Sequence, residues 1–331
     1  MDSSILVSIL CITYNQVEYV KDMLDGFLSQ ETDFGFEVLV HDDASTDGTV
    51  DVIKEYENKY DNVHLYSEEV NRFSEGINYI NELLLPNALG KYIAICEGDD
   101  YWCSNEKLAK QVGYMEGHPG CSLCTTRAFV RSGDSEVSLG YMGLGPKDRV
   151  LSPLDLAREW HLPTASFLFR KSDAQEYARN WTFKTPVGDF PRAFYLATKG
   201  HVSYLAEPMT VYRYGVSGSW TKTNEADERR LISEGLKWLK MLDDINEATK
   251  GIYLAALVES AKSKVIRLYG RGVMEYPGTI ANIAFDGLST KQRIVAQILA
   301  LFWGLGFDFK RAAWSGLKKW RIVRRSAHEF A

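Results

Sequence analysis

Two runs of acidic side chains mark where this 331-residue sequence could do chemistry: His41-Asp42-Asp43-Ala44-Ser45-Thr46-Asp47-Gly48-Thr49 and Glu97-Gly98-Asp99-Asp100-Tyr101-Trp102. Each follows a short apolar run. Adjacent carboxylates repel, so a Glu-x-Asp-Asp group at the end of a buried strand is costly unless a cation or hydrogen-bond donors offset it. A hard divalent ion, Mn2+ or Mg2+, is the economical partner, because it takes oxygen ligands and completes its shell with substrate phosphates. The competing reading is structural: a solvated turn, with Asp99 or Asp100 capping the helix that starts near Glu106. In the first run, Ser45 and Asp47 suit the cap of the helix that follows. A calcium loop opening at Asp43 fails, since its closing position is Lys54 instead of a bidentate carboxylate and an apolar strand precedes it.

The elements that must place these groups are visible in the hydrophobic pattern. Ile5 to Ile12 reads as a buried strand, and Val20, Met23, Leu24, Phe27 and Leu28 then recur at helical spacing. Phe36 to Val40 and Val63 to Tyr66 are the next strands, with a helix through Val50, Ile53 and Tyr56 between them. Ile77 to Leu85 predicts a helix and Tyr92 to Cys96 a fourth strand. This alternation predicts an α/β fold with a Rossmann-like, mostly parallel sheet flanked by helices. In such sheets ligands bind beside the carboxyl ends of the strands, where both acidic runs fall. Beyond Val130, Gly133, Gly140, Gly143 and Gly145 break the pattern and predict a mobile loop before a helix starting at Ser152-Pro153. A mixed region runs to about Tyr214, and from Glu225 onward the sequence reads as mostly helical.

Composition narrows the classes. A net charge of −6 argues against a nucleic-acid partner, which needs a clustered basic surface. Residues 308–325 are the exception, with seven basic side chains against Asp308. Plotted as a helix, Phe309, Ala312, Ala313, Trp320 and Val323 share one side, and Lys310, Arg311, Lys318, Arg321 and Arg325 another. That pattern fits either a helix on an anionic membrane surface or an ordinary solvated helix. The apolar stretch Ile294 to Phe307 is too short to span a bilayer. With no signal-peptide pattern at Met1 to Ser4, the expectation is a cytoplasmic protein, peripheral on the inner face of the membrane if the tail binds lipid. Five cysteines make an odd count, and the Cys121-x-x-Cys124 pair has no second pair at zinc spacing, so both read as packing residues.

Three segments in order resemble the family 2 glycosyltransferases of GT-A fold: Val7-Ser8-Ile9-Leu10-Cys11-Ile12-Thr13-Tyr14-Asn15, Asp42 to Thr49, and Gly90 to Trp102. The likeness is clear over residues 5 to 130 and looser to about 220. It implies an inverting transferase that uses a nucleoside diphosphate sugar, such as a UDP-sugar, to move a hexosyl or N-acetylhexosaminyl group. The acceptor would be a saccharide or a lipid-linked saccharide in polysaccharide or glycoconjugate assembly. It further implies a catalytic domain over residues 1–220, with a nucleotide-sugar half (1–130) and an acceptor half (131–220). Residues 221–331 would form a helical C-terminal extension.

Carried onto matching positions, the resemblance places Ile12, Thr13, Asn15 and Asp43 at the nucleotide, and Asn71 and Arg72 at the donor. Asp99 would approach the ribose or diphosphate and Asp100 would hold the metal, with Asp99 a second metal candidate. The usual Asp-x-Asp-Asp begins here with Glu97. The family's catalytic base matches Asp189 in Pro186-Val187-Gly188-Asp189-Phe190-Pro191, where a plain helix cap is the alternative. Asp155 and Asp173 are poorer matches. His161-Leu162-Pro163-Thr164-Ala165-Ser166 resembles the acceptor-side wall. Arg213, in Tyr212-Arg213-Tyr214 ahead of Ser217-Gly218-Ser219-Trp220, would lie over the donor phosphates or pair with surface acids. Two other functions compete: a non-catalytic nucleotide- or glycan-binding scaffold, and a nucleotidyltransferase, which would favour a glycine-rich phosphate loop absent after the first strand.

Overall fold

β1 (Ile5–Thr13) is buried on both faces along most of its length, which is why its sequence is apolar without alternation apart from Ser8 and Thr13. It pairs in parallel with β2 (Gly35–Asp42) on one side and β4 (Tyr92–Glu97) on the other, and β2 pairs in parallel with β3 (Val63–Ser67). The chain therefore steps outward from β1 to β3, then returns across β1 to lay down β4. This reversal opens a crevice at the carboxyl ends of β1 and β4, where Ile12 stands opposite Glu97.

The computed structural model describes residues 5–294 except 73–74, 134–136, 159, 217–218, 220–226, 272, 274–275, 277 and 291. Among these, ten strands form one sheet in the order β3-β2-β1-β4-β9-β6-β10-β5. The later strands are β5 (Tyr101–Trp102), β6 (Cys121–Ser132), β7 (Ser138–Met142), β8 (Arg149–Leu151), β9 (Leu168–Arg170) and β10 (His201–Tyr214). β9 runs antiparallel between β4 and β6, β10 runs parallel to β6, and β7 and β8 pair with β6 and β10. The architecture is the GT-A arrangement expected, a mostly parallel sheet flanked by helices with further helices toward the C-terminus.

Helices cover the sheet with their apolar faces. Val20, Met23, Leu24 and Phe27 of α1 (Val20–Leu28) and Leu108, Val112 and Met115 of α4 (Lys107–Gly117) share one core with Val7, Ile9, Val38, Val40, Ala94 and Cys96. Burial of each such side chain contributes roughly 1.5–3 kcal/mol. α2 (Thr49–Lys59) follows β2. The helix expected over Ile77 to Leu85 is present, its middle widened to a π-helical stretch, Ile80–Leu84, that runs into α3 (Leu85–Asn87), where Pro86 has no amide hydrogen to continue the ladder. The mobile loop expected after Val130 contains β7, within which Gly140 takes a φ of 106° and after which Gly143 and Gly145 take 141° and 99°. Those glycines shape a short strand and its turn.

The chain divides into two compact units. Of the described residues, the first takes those within Met1–Ser152, His161–Asn180 and Tyr195–Ser219, and the second those within Pro153–Trp160, Trp181–Phe194 and the segment after Ser219. The first holds the sheet and α6 (Lys171–Asn180); α7 (Asp189–Lys199) passes from the second into the first. The second unit contains α5 (Pro153–Arg158), α8 (Glu228–Ala248), α9 (Leu254–Tyr269) and α10 (Thr279–Asp286). The start of α10 is capped from α8, where Asp243 Oδ1 accepts the Thr279 and Ile280 amides at 3.0 and 2.9 Å. A side chain at Gly278 would place its Cβ 1.8 Å from Asp243 Oδ2, so this approach requires glycine.

Candidate active site

Asp42 organises the loops above β1 and β2. Fully buried, it accepts hydrogen bonds from the Thr13 hydroxyl at 2.8 Å, the Ser45 amide at 2.8 Å and the Ser45 hydroxyl at 2.6 Å. Asn15 and Ala44 both adopt left-handed backbone, with φ of 50° and 62°. Such conformations cost energy outside glycine and persist where surrounding bonds hold them. Here the Asn15 amide donates to Ser45 Oγ at 2.8 Å, and the Thr46 amide to Asn15 Oδ1 at 2.9 Å. Asp47 accepts the Thr49 amide and the Val17 amide, each at 3.0 Å, closing the start of α2 onto the β1 loop.

That web turns Asp43 toward the segment after β3. Its Oδ1 accepts the Arg72 amide at 2.9 Å, and the Asn71 side-chain amide donates to its carbonyl at 3.2 Å. Asp43, Asn71 and Arg72 are thus brought together, with Thr13 joined to Asp43 through a 3.1 Å backbone bond. Ile12, at 36% exposure, presents its side chain at the strand end. Beside them His41 is fully buried and stacked on Tyr79 with ring centroids 3.6 Å apart. Neither imidazole nitrogen has a hydrogen-bond partner, and burial holds its pKa below the usual value. The sequence reading gave His41 no role.

The second acidic run is a tight turn. The Gly98 amide donates to the Ile12 carbonyl at 3.2 Å and the Asp100 amide to the Glu97 carbonyl at 3.1 Å. A Cβ on Gly98 would lie 2.1 Å from Gln16 Oε1 and 2.6 Å from Thr13 Cγ2, so only glycine lets the turn sit this close to β1. Asp100 is 3% exposed, and its Oδ1 accepts the Arg213 amide at 2.9 Å. Burial drives the Asp100 carboxyl well above its ordinary pKa, and the charges of Asp99 and Glu97 add to the rise. Burial raises Asp99 too, partly opposed by Arg213.

Neither aspartate caps a helix, because α4 starts only at Lys107. Acidic oxygens whose ionised form is disfavoured until a cation arrives fit a hard divalent ion, and Asp99 and Asp100 would hold it. Among the described residues no three carboxylate, imidazole or thiol groups converge as a complete metal site. A bound ion would therefore draw further ligands from phosphate and water.

Arg213 lies within the fold, at 2% exposure. Its guanidinium donates to the Asp99 carbonyl at 3.1 Å and to the Asp22 carboxylate, with Tyr101 and Tyr19 ring centroids 4.4 and 5.2 Å away. Residues 217–218 and 220 of the segment beyond it lie outside the described residues. Asp22 escaped the sequence reading because an acid in the first turn of a helix already has a sufficient reason to be there. The Thr164–Ser166 turn is fixed to the sheet: Ala165 accepts the Trp102 indole N–H at 2.8 Å, and Ser166 meets the Thr125 hydroxyl at 2.5 Å.

Asp189 belongs to the second unit, where it opens α7 and accepts the Phe190 amide at 2.7 Å. Burial lifts its carboxyl pKa, against the Phe190 amide, the Arg192 charge and a hydrogen bond from Trp160. Asp173 sits 3.7 Å from Arg170 in the first turn of α6, and Asp155 lies in the first turn of α5. Cys121 and Cys124 are buried, and burial raises both thiols.

The Glycosyl transferase family 2 profile matches residues 8–181. Uncharacterized protein Rv1520 of Mycobacterium tuberculosis is 35% identical over 222 residues, covering 65% of this chain and 60% of that protein. UDP-Glc:alpha-D-GlcNAc-diphosphoundecaprenol beta-1,3-glucosyltransferase WfaP of Escherichia coli is 33% identical over 111 residues, covering 34% of this chain and 41% of WfaP. Among solved structures, S. aureus TarS 1-349 in complex with UDP-GlcNAc aligns over 91% of this chain and 92% of TarS, with a TM-score of 0.52 and 15% identity. The family match spans more than half of the chain and includes every strand end that carries the acidic runs. The chain belongs to glycosyl transferase family 2.

Proposed function

We propose that the protein is a metal-dependent inverting glycosyltransferase. It moves a hexosyl or N-acetylhexosaminyl group from a nucleoside diphosphate sugar, a UDP-sugar by the name of WfaP, to a saccharide or lipid-linked saccharide. The reading rests above all on buried Asp100 and half-buried Asp99, with Asp43, at the carboxyl ends of β1, β2 and β4. Ile12, Thr13, Asn15, Asp43 and Asn71 receive the nucleotide, and Asp99 the ribose or diphosphate. A divalent ion, Mn2+ or Mg2+, supplies charge neutralisation for the departing diphosphate when bound. Asp189 takes the acceptor hydroxyl's proton, a task for which a carboxyl lifted toward neutrality is better matched than an ordinary one.

Calorimetric titration with UDP, with and without Mn2+, tests the site. Wild type is expected to bind UDP with Mn2+ present and Asp100→Ala to lose that binding while still folding; equal binding by the two removes the assignment. Asp189→Asn should keep UDP binding and lose transfer by about a thousandfold. Undiminished turnover would exclude it as the base.

A further inference from the structure

The carboxylates of the Glu97–Asp100 turn have a cation close at hand before any metal arrives. Arg213 is attached to the turn twice, by its own amide to Asp100 Oδ1 at 2.9 Å and by its guanidinium to the Asp99 carbonyl at 3.1 Å. Left to itself, a guanidinium beside two carboxylates pairs with them, since a bidentate Arg–carboxylate pair is among the strongest polar contacts available. In the structure the guanidinium instead meets a third carboxylate, Asp22, in the first turn of α1. Tyr101 on one element and Tyr19 on another lie near its carbon and restrict how it can turn. The burial of the pair is lopsided, with the Arg213 side chain 2% exposed and that of Asp22 54% exposed. Asp22 thus reaches inward from a solvated helix surface to partner a charge that is itself desolvated.

We propose that Asp22, acting through Arg213, is a positioning residue for the donor site: it holds the guanidinium on the Asp99 carbonyl and away from the Asp99 and Asp100 carboxylates, leaving these to a divalent cation. The proposal rests on the metal-dependent reading given above. Loss of the Asp22 charge has two effects of the same sign. The guanidinium loses its Asp22 partner while it stays next to the ion's position, and it gains freedom to pair with the carboxylates in the ion's place. Outer-shell partners of this kind typically change metal affinity by about 10–100-fold.

Direct Mn2+ binding to the full chain, read from the loss of the free-ion electron paramagnetic resonance signal with UDP present, tests the proposal without depending on turnover. Asp22→Asn is expected to bind Mn2+ about tenfold more weakly than wild type. Asp22→Glu, which keeps the charge, is expected to restore most of that affinity. Asp25→Asn is the control for a general weakening of α1, since Asp25 pairs on the helix exterior with Lys21 and Tyr56, and it should bind as wild type does. Asp22→Ala replaces Asp22→Asn if the latter does not fold. Wild-type affinity in Asp22→Asn overturns the proposal, as does an equal loss in Asp25→Asn. Wild type that takes up no Mn2+ with UDP overturns the functional reading, and the role of Asp22 falls with it.

Discussion

Lys107 is fully buried at the first residue of α4, and its ammonium nitrogen has no hydrogen-bond partner. What faces it is the Trp102 ring, with the centroid 3.8 Å away, and the Cys96 and Cys124 thiols. Burial pushes the amine down to about 7 from an ordinary 10.5. Because the folded chain releases this proton more readily than the unfolded chain does, the unfolded state binds more protons throughout that interval. Stability therefore rises with pH from about 7 toward 10.5 and is lowest below the interval. Lys107→Met, which keeps the volume and removes the charge, should raise the melting temperature by roughly 5 °C near pH 6, with the gain shrinking toward pH 10. A melt in which the variant gains nothing at the lower pH would show that the ring compensates the charge in full.

At the scale of elements, the decisive feature is how closely the β4–β5 turn approaches the end of β1. Gln16 can move aside for a methyl group at Gly98, but Thr13 cannot easily do so, since its hydroxyl is bound to the buried Asp42. Gly98→Ala should displace the turn and weaken Mn2+-dependent UDP binding by about tenfold, with a smaller loss in melting temperature. Unchanged affinity would mean that the turn tolerates a shift. Much of this region was legible in the sequence. β1, apart from Ser8, and β4 are apolar runs, α1 repeats its apolar residues at helical spacing, and each acidic run sits where such a strand must end. What lay hidden depends on long-range pairing. β5 is two residues whose partners, Thr210 and Val211, lie more than a hundred positions away, and β7 is a short strand among glycines. Arg213 read equally well as a phosphate contact or a surface charge, and only the packing of β10 places it beneath the turn. Asp42 and Asp43 look alike as letters and both are buried; long-range bonding makes the first the anchor of the Ser45 loop and the second the anchor of the segment after β3.

For the molecule as a whole, the family match ends at residue 181, after α5 but before α8, α9 and α10 of the second unit. Within that unit the Phe190 ring, next to Asp189, lies 5.1 Å from Trp160 and 5.2 Å from Trp238 on α8, so the helices beyond the family region help fix the proposed base. No helix among the described residues is long and apolar enough to cross a membrane. The basic tail at 308–325 lies outside the described residues; near an anionic surface each of its basic side chains would contribute about 1 kcal/mol. Deleting residues 308–331 should abolish flotation with anionic liposomes and leave UDP affinity within about twofold; flotation that survives the deletion would locate membrane contact elsewhere.

The bonded loops around Asp42 also bear on how a ligand is met. Asn15, Thr13, Ser45 and Asp47 are ordered by one another. Under the function proposed above, a nucleotide arriving there would find its receptor atoms already in place and lose little affinity to freezing them. Association on that side would then be a rigid encounter, governed by diffusion and charge, with selectivity among nucleobases set by an unyielding shape.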